Sequence, residues 1–186
     1  MLRSDQEPVL AGALNGKIAF ARMIQGIDVN PETAAPLFLD FRDVQVATAS
    51  YLRESVFSFK SYLRLTDSKF YAVAANVNES VYDEFQMVAD AKNDAILSCQ
   101  LSEDGHVFDI GLVGKLDPKQ QITFDLVNRL READANTLKE RFGETEKTTA
   151  WNNRLAGLAA RGLIREFSKG RAKYYRPVVE VGNNGR

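Results

Sequence analysis

At 186 residues the chain is long enough for one medium domain or two small ones, each with a buried core, and 45% hydrophobic with 26% charged residues excludes a disordered or collagen-like polymer. A formal net charge of −1 excludes a uniformly basic nucleic-acid coat, and no apolar run is long enough to cross a bilayer. Cys99 is the only cysteine and His106 the only histidine, so an internal disulfide is impossible and no zinc-ligand spacing of the usual kind occurs; no metal and no cofactor are expected. The opening MLRSDQEPVL lacks an apolar signal core, which gives the expectation of a cytoplasmic protein.

Residues 14–27 place Ile18, Ala21, Met23 and Ile24 among polar residues at helical spacing. PLFLDF, residues 36–41, reads as a short apolar strand, residues 49–65 as one long amphipathic helix, and FYAVAA, residues 70–75, as a second strand. Residues 80–92 read as a helix with Val81, Phe85 and Val88 inward, and residues 96–101 with 107–113 as a hairpin across SEDGH. Such alternation predicts α/β architecture, a sheet with packed helices, over residues 1–117. The apolar side of residues 49–65 is explained equally by core packing and by a dimer seam.

After the linker GKLDPK, residues 118–186 read as a small α+β domain. Residues 120–132 form a first helix with Ile122, Leu126, Val127 and Leu130 inward, and residues 135–142 a second with Leu138 and Phe142 inward. Gly143 supplies a turn, and Thr148 or Thr149 caps a third helix. On that helix Trp151, Leu155 and Leu158 share one face, with Leu163 and Ile164 closing the core just beyond Gly162. The opposite face carries Thr149, Asn152, Asn153, Ala156 and Ala160, where a merely solvated helix would carry Glu and Lys. Short side chains bring a helix close to base edges; Asn can pair bidentately with adenine, and Thr and Ala methyls can meet the thymine methyl. REFSKGRAKYY follows as a basic hairpin turned at Ser168, Lys169 and Gly170. Its cations read either as phosphate contacts or as a solvated, charge-protected edge.

Charge divides at the same linker. Residues 1–117 hold 10 Lys and Arg against 17 Asp and Glu, net −7, and residues 118–186 hold 14 against 8, net +6. The whole-chain pI near 5.9 hides this asymmetry. The basic half can neutralise phosphates and release counterions, while the acidic half is repelled by a nucleic acid.

The order helix, helix, turn, helix, hairpin, carried by NTLKERFGETEKTTAWNNRLAGLAARGLI and the closing YYRP, resembles a winged helix-turn-helix domain over residues 118–179. LFLDFRDVQVATASYLRESVF, with the helix before it, resembles a STAS-like domain, the fold of bacterial anti-sigma-factor antagonists, over about residues 14–95. The shared pattern is an apolar strand ending in Asp40, a connection through Val44 and Val46, and a helix opened by Thr48, Ala49 and Ser50. That family is regulated by phosphorylation of a serine at the helix start. Ala49 occupies that position here, and Tyr51 stands where the family has glycine. Thr48 and Ser50 remain as hydroxyls for phosphate, or one of them is an N-cap.

No spacing for nucleophilic or acid-base chemistry occurs, and Asp40 and Asp43 read as strand-end and turn caps, so the chain is expected not to be an enzyme. The expected function is a DNA-binding transcription regulator of bacterial type, acting as a homodimer. Thr148, Thr149, Asn152 and Asn153 would lie at base edges or nearby phosphates, with Lys147, Arg154, Lys169, Arg171 and Lys173 on the backbone. The STAS-like half would sense a signal, bind a protein partner or dimerise. The alternative is a partner-switching interaction module that does not touch DNA.

Overall fold

The structure is a computed structural model that describes residues 2–3, 8–27, 30–143 and 146–180. It is a mixed α/β chain with two compact units. One runs to Lys115 and resumes at Val179; the other spans Leu116–Val178.

The first unit is built on a five-stranded sheet. Its strands are β1 (Leu2–Arg3), β3 (Ala35–Asp40), β5 (Phe70–Ala75), β6 (Ala95–Leu101) and β7 (Val107–Gly114), in that spatial order, the first four parallel and β7 antiparallel to β6. A separate parallel pair joins β2 (Val9–Leu10) to β4 (Val46–Ala47). The helices are α1 (Ala13–Gln25), α2 (Ala49–Leu52) running through a π-helical turn (Arg53–Phe57) into α3 (Ser58–Leu65), and α4 (Glu79–Lys92).

Alternation of side chains along a strand sends Leu37 and Leu39, Ala72 and Ala74, Ile96 and Val113 into one apolar cluster with Leu52, Val56, Phe57, Phe59, Leu63, Val81 and Phe85. Phe41 and Phe85 meet edge to face at 5.3 Å between centroids. The apolar side of α2 and α3 is therefore core. A dimer seam there is excluded for Leu52, Val56, Phe59 and Leu63, which are buried; Leu65 alone of these side chains stands out.

The helix expected over residues 49–65 is interrupted because two hydroxyls bond backward to backbone carbonyls. Ser55 Oγ donates to Tyr51 O at 2.7 Å and Ser58 Oγ to Arg53 O at 3.0 Å, and the ladder widens between them. On α1 the inward face is Gly16, Ala19, Phe20, Met23 and Ile24, while Ile18 and Ala21 face out. Gly16 fixes this rotation, since a Cβ there would lie 2.6 Å from Tyr51 O. Asp40 is buried at the end of β3 and accepts hydrogen bonds from the backbone N of Arg42 at 3.1 Å and from Asn76 Nδ2 at 2.7 Å.

The second unit contains α5 (Pro118–Leu130), α6 (Ala135–Phe142), α7 (Thr148–Ala160) and the hairpin of β8 (Ile164–Lys169) and β9 (Ala172–Pro177). Asp117 caps α5 through the backbone N–H groups of Lys119 and Gln120, and Asp134 caps α6 through that of Thr137. Ala133 adds a third line to the hairpin, exchanging backbone hydrogen bonds of 3.0 and 2.8 Å with Tyr175.

Four local expectations need correction. Ile122 is 53% exposed, and Thr123 takes the inward place because its hydroxyl bonds back to Lys119 O at 2.8 Å. Phe142 is 43% exposed, with the Arg129 guanidinium 5.0 Å from its ring centroid. The N-cap of α7 is Lys147, without a side-chain cap, so neither Thr148 nor Thr149 performs that role. The hairpin turns at Gly170 and Arg171, after Lys169 has paired with Ala172, and the left-handed φ of 62° at Gly170 makes this tight turn possible.

Candidate nucleic-acid interface

Helix α7 has the two faces its periodicity demands. Trp151, Leu155 and Leu158 are buried, and Thr149, Asn152, Asn153, Ala156 and Ala160 are exposed. Gly143 itself packs against the indole, since a Cβ there would come 2.6 Å from Trp151 Nε1. Among the described residues the amides of Asn152 and Asn153 have no hydrogen-bond partner, so their donor and acceptor capacity is available to a ligand.

These side chains form one wall of an open polar groove of about 440 Å³ within the second unit. Thr148, Asn152, Asn153 and Ala156 come from α7, Asp134, Ala135 and Asn136 from the start of α6, and Arg171, Ala172, Lys173 and Tyr175 from the hairpin. Asp134 and Asn136 are absent from the site that the sequence suggests. They reach the groove only through tertiary packing, and the one local signal is the cap pattern at the start of α6.

The pleat of the hairpin separates cations that the sequence groups together. Lys173 stands opposite Ser168, on the side of Glu166 and Tyr175 that meets the groove. Lys169 stands opposite Ala172, on the other side, with Phe167, Tyr174 and Arg176. There Lys169 Nζ lies 4.9 Å from the Tyr174 ring centroid, and the Arg176 guanidinium 4.5 Å from that of Phe167. Lys169 therefore does not join the groove.

Most of these cations already have internal partners. Glu132 accepts from Lys169 Nζ and from Arg176 Nε and NH2 at 2.9 and 2.6 Å; hydrogen bonds from Lys169 and then Arg176 hold its carboxyl below the usual range. Glu146 binds Lys119 at 2.7 Å and also Arg154, and is lowered in the same way. Arg154 is spent on this pair and on the Trp151 ring, 4.0 Å from its guanidinium, so it braces α7 and is not directed at the groove. Lys173 pairs with Glu166 at 2.7 Å. The other oxygen of Glu166 accepts from the Tyr175 hydroxyl at 3.1 Å; burial first, then Glu166, pushes that phenol up to about 12. Lys147 and Arg171 are exposed and unpaired among the described residues.

In the first unit, Thr48 is the N-cap of α2: its Oγ1 accepts from Tyr51 N at 3.3 Å and from Gly12 N at 3.1 Å, and lies 3.1 Å from Ser50 Oγ. The Ala49 N–H donates to Glu84 Oε2 at 2.6 Å, so a carboxylate already occupies the positive end of this helix. Ser102, Asp104 and His106 converge on the exposed β6–β7 turn, a grouping that sequence spacing does not suggest. Both Ser102 Oγ and His106 Nε2 address Asp104. The serine hydroxyl is thus turned to the carboxylate and not to the imidazole, whereas a base-activated nucleophile requires the opposite. Among the described residues, no three His, Cys, Asp or Glu side chains gather to hold a metal ion, and no helix is long and apolar enough to cross a membrane.

Compared with known protein families and with curated proteins, the chain matches none.

Proposed function

We propose that the chain is a non-enzymatic, DNA-binding transcription regulator of the cytoplasm, in which the second unit is a winged helix-turn-helix domain and the first a STAS-like sensing or dimerisation domain. The observation that carries this reading is the groove in which the uncharged face of α7 meets Arg171 and Lys173 of the wing. A helix with short amide and methyl side chains beside a basic ribbon has the chemistry for base-edge contacts flanked by phosphate contacts. Thr148, Thr149, Asn152 and Asn153 are assigned to base edges or adjacent phosphates, and Lys147, Arg171 and Lys173 to the backbone. Lys169 would reach only a phosphate beyond the outer side of the wing.

The partner-switching alternative has one observation in its favour. Val9 and Val46, neighbours in the β2–β4 pair, are 50% and 42% exposed, and Val9 and Ile18 line a concavity of about 250 Å³ with Tyr51. Exposed apolar side chains around such a hollow suit a protein partner or a second copy.

Binding of the full-length protein to duplex DNA from around its own gene, against a scrambled duplex and across a salt series, tests the first reading. Selective binding with a steep salt dependence is expected. Affinity no better than the non-specific range of about 10⁻⁴ to 10⁻⁶ M for both duplexes would discard it in favour of partner switching.

A further inference from the structure

Two carboxylates stand where a polyanion would have to compete for the wing. Glu166 is held from both sides, by Lys173 at 2.7 Å and by the Tyr175 hydroxyl at 3.1 Å. Glu132 lies between Lys169 and Arg176. Neither is needed to close the hairpin, which has its own ladder from Ile164↔Pro177 to Lys169↔Ala172 and the backbone bridge to Ala133.

We propose that Glu166 and Glu132 are internal counter-ions of the wing, which a polyanion must displace from Lys173 and Lys169 before its own phosphates are bound, so that these carboxylates set the affinity and salt dependence of the surface. For duplex DNA the inference rests on the function proposed above. Each phosphate neutralised by a cation releases close to one condensed counterion, a contribution of about 0.9 to the slope of log K against log salt. A carboxylate stripped of its lysine takes up a cation from solution, which cancels part of that release. Removing its charge therefore strengthens binding and steepens the slope. A carboxylate serving only as a brace would do the opposite, because its removal loosens the wing.

The test uses the full chain as wild type, Glu166→Gln, Glu132→Gln and Glu140→Gln. The last removes the same charge from an exposed position on α6 and is the control for net charge. Glutamine keeps the shape of Glu166 and an oxygen for Tyr175. Two measurements are made: the salt concentration that elutes each protein from immobilised heparin, and the salt-dependent affinity for the duplex from around the gene. Glu166→Gln and Glu132→Gln should elute from heparin at higher salt than both wild type and Glu140→Gln. On the duplex Glu166→Gln should bind roughly two- to fivefold more tightly at moderate salt, with a slope steeper by up to about 0.9, whereas Glu132→Gln, which frees a lysine on the outer side of the wing, should gain less on both counts. Elution of Glu166→Gln and Glu132→Gln no later than Glu140→Gln overturns the proposal, whatever the duplex does, and an accompanying fall in melting temperature would mark the carboxylates as braces. Later elution with no duplex binding by any of the four proteins keeps the counter-ions and discards the DNA reading.

Discussion

The exposed face of α7 and the hairpin beside it, the wing of the proposed function, differ in how their polar groups are satisfied. The helix face is uncharged, and the amides of Asn152 and Asn153 are unsatisfied among the described residues. The wing is rich in charge, yet Lys169, Lys173 and Arg176 each hold a carboxylate. An amide that exchanges water for a base edge gains through geometry, whereas a cation that exchanges a carboxylate for a phosphate gains through the release of ions. On the proposed function, selectivity therefore belongs to the helix and salt-dependent grip to the wing.

The largest expected effect tests the helix side. Replacing Asn152 and Asn153 together by Ala should remove about 1–3 kcal/mol of discrimination for each bidentate amide–base pair abolished, while scrambled duplex is bound as before. Competition between the two duplexes reads this directly, and an unchanged preference would move selectivity off α7. A smaller effect tests the split within the wing. Arg171→Ala should weaken both duplexes alike and lower the salt slope by about 0.9, whereas Lys169→Ala, on the far side of the pleat, should lower it much less. Equal weakening by the two would break the distinction between the wing's sides.

The smallest effect concerns alkaline stability. The Tyr175 phenol titrates near 10 when unfolded and is pushed up to about 12 in the fold, so its contribution is complete below pH 10 and is lost as pH rises toward 12. Cys99, raised by burial from 9.0 to about 12, acts with the same sign from pH 9 upward. Urea unfolding at steps between pH 9 and 12 should show a shallower decline for Tyr175→Phe than for wild type. Parallel declines would show that Tyr175 keeps its ordinary titration.

How far each feature is legible in the sequence follows from how local its cause is. PLFLD and FYAVAA lie in β3 and β5 because a largely apolar run suits a strand buried among parallel neighbours. The face of α7 is legible because Trp151, Leu155 and Leu158 repeat at helical spacing. Ile122 misleads because Thr123 can bury its hydroxyl by bonding back to Lys119 O, a choice that apolar periodicity does not register. The π-helical turn arises likewise from Ser55 and Ser58. The ion pairs are further out of reach: Glu132 and Arg176 are 44 positions apart, and nothing local to either marks the other. Lys169 misleads when the hairpin is taken as a set of charges, because in a pleated ribbon a shift of one residue changes sides.

The backbone bridge between Ala133 and Tyr175 means that the wing is anchored to the segment that leads into α6 and does not hang from its own turn. The hairpin side of the groove is thus tied to the start of α6 by backbone hydrogen bonds, and on the proposed function a partner that fits this pair of walls has less of the hairpin left to order on docking.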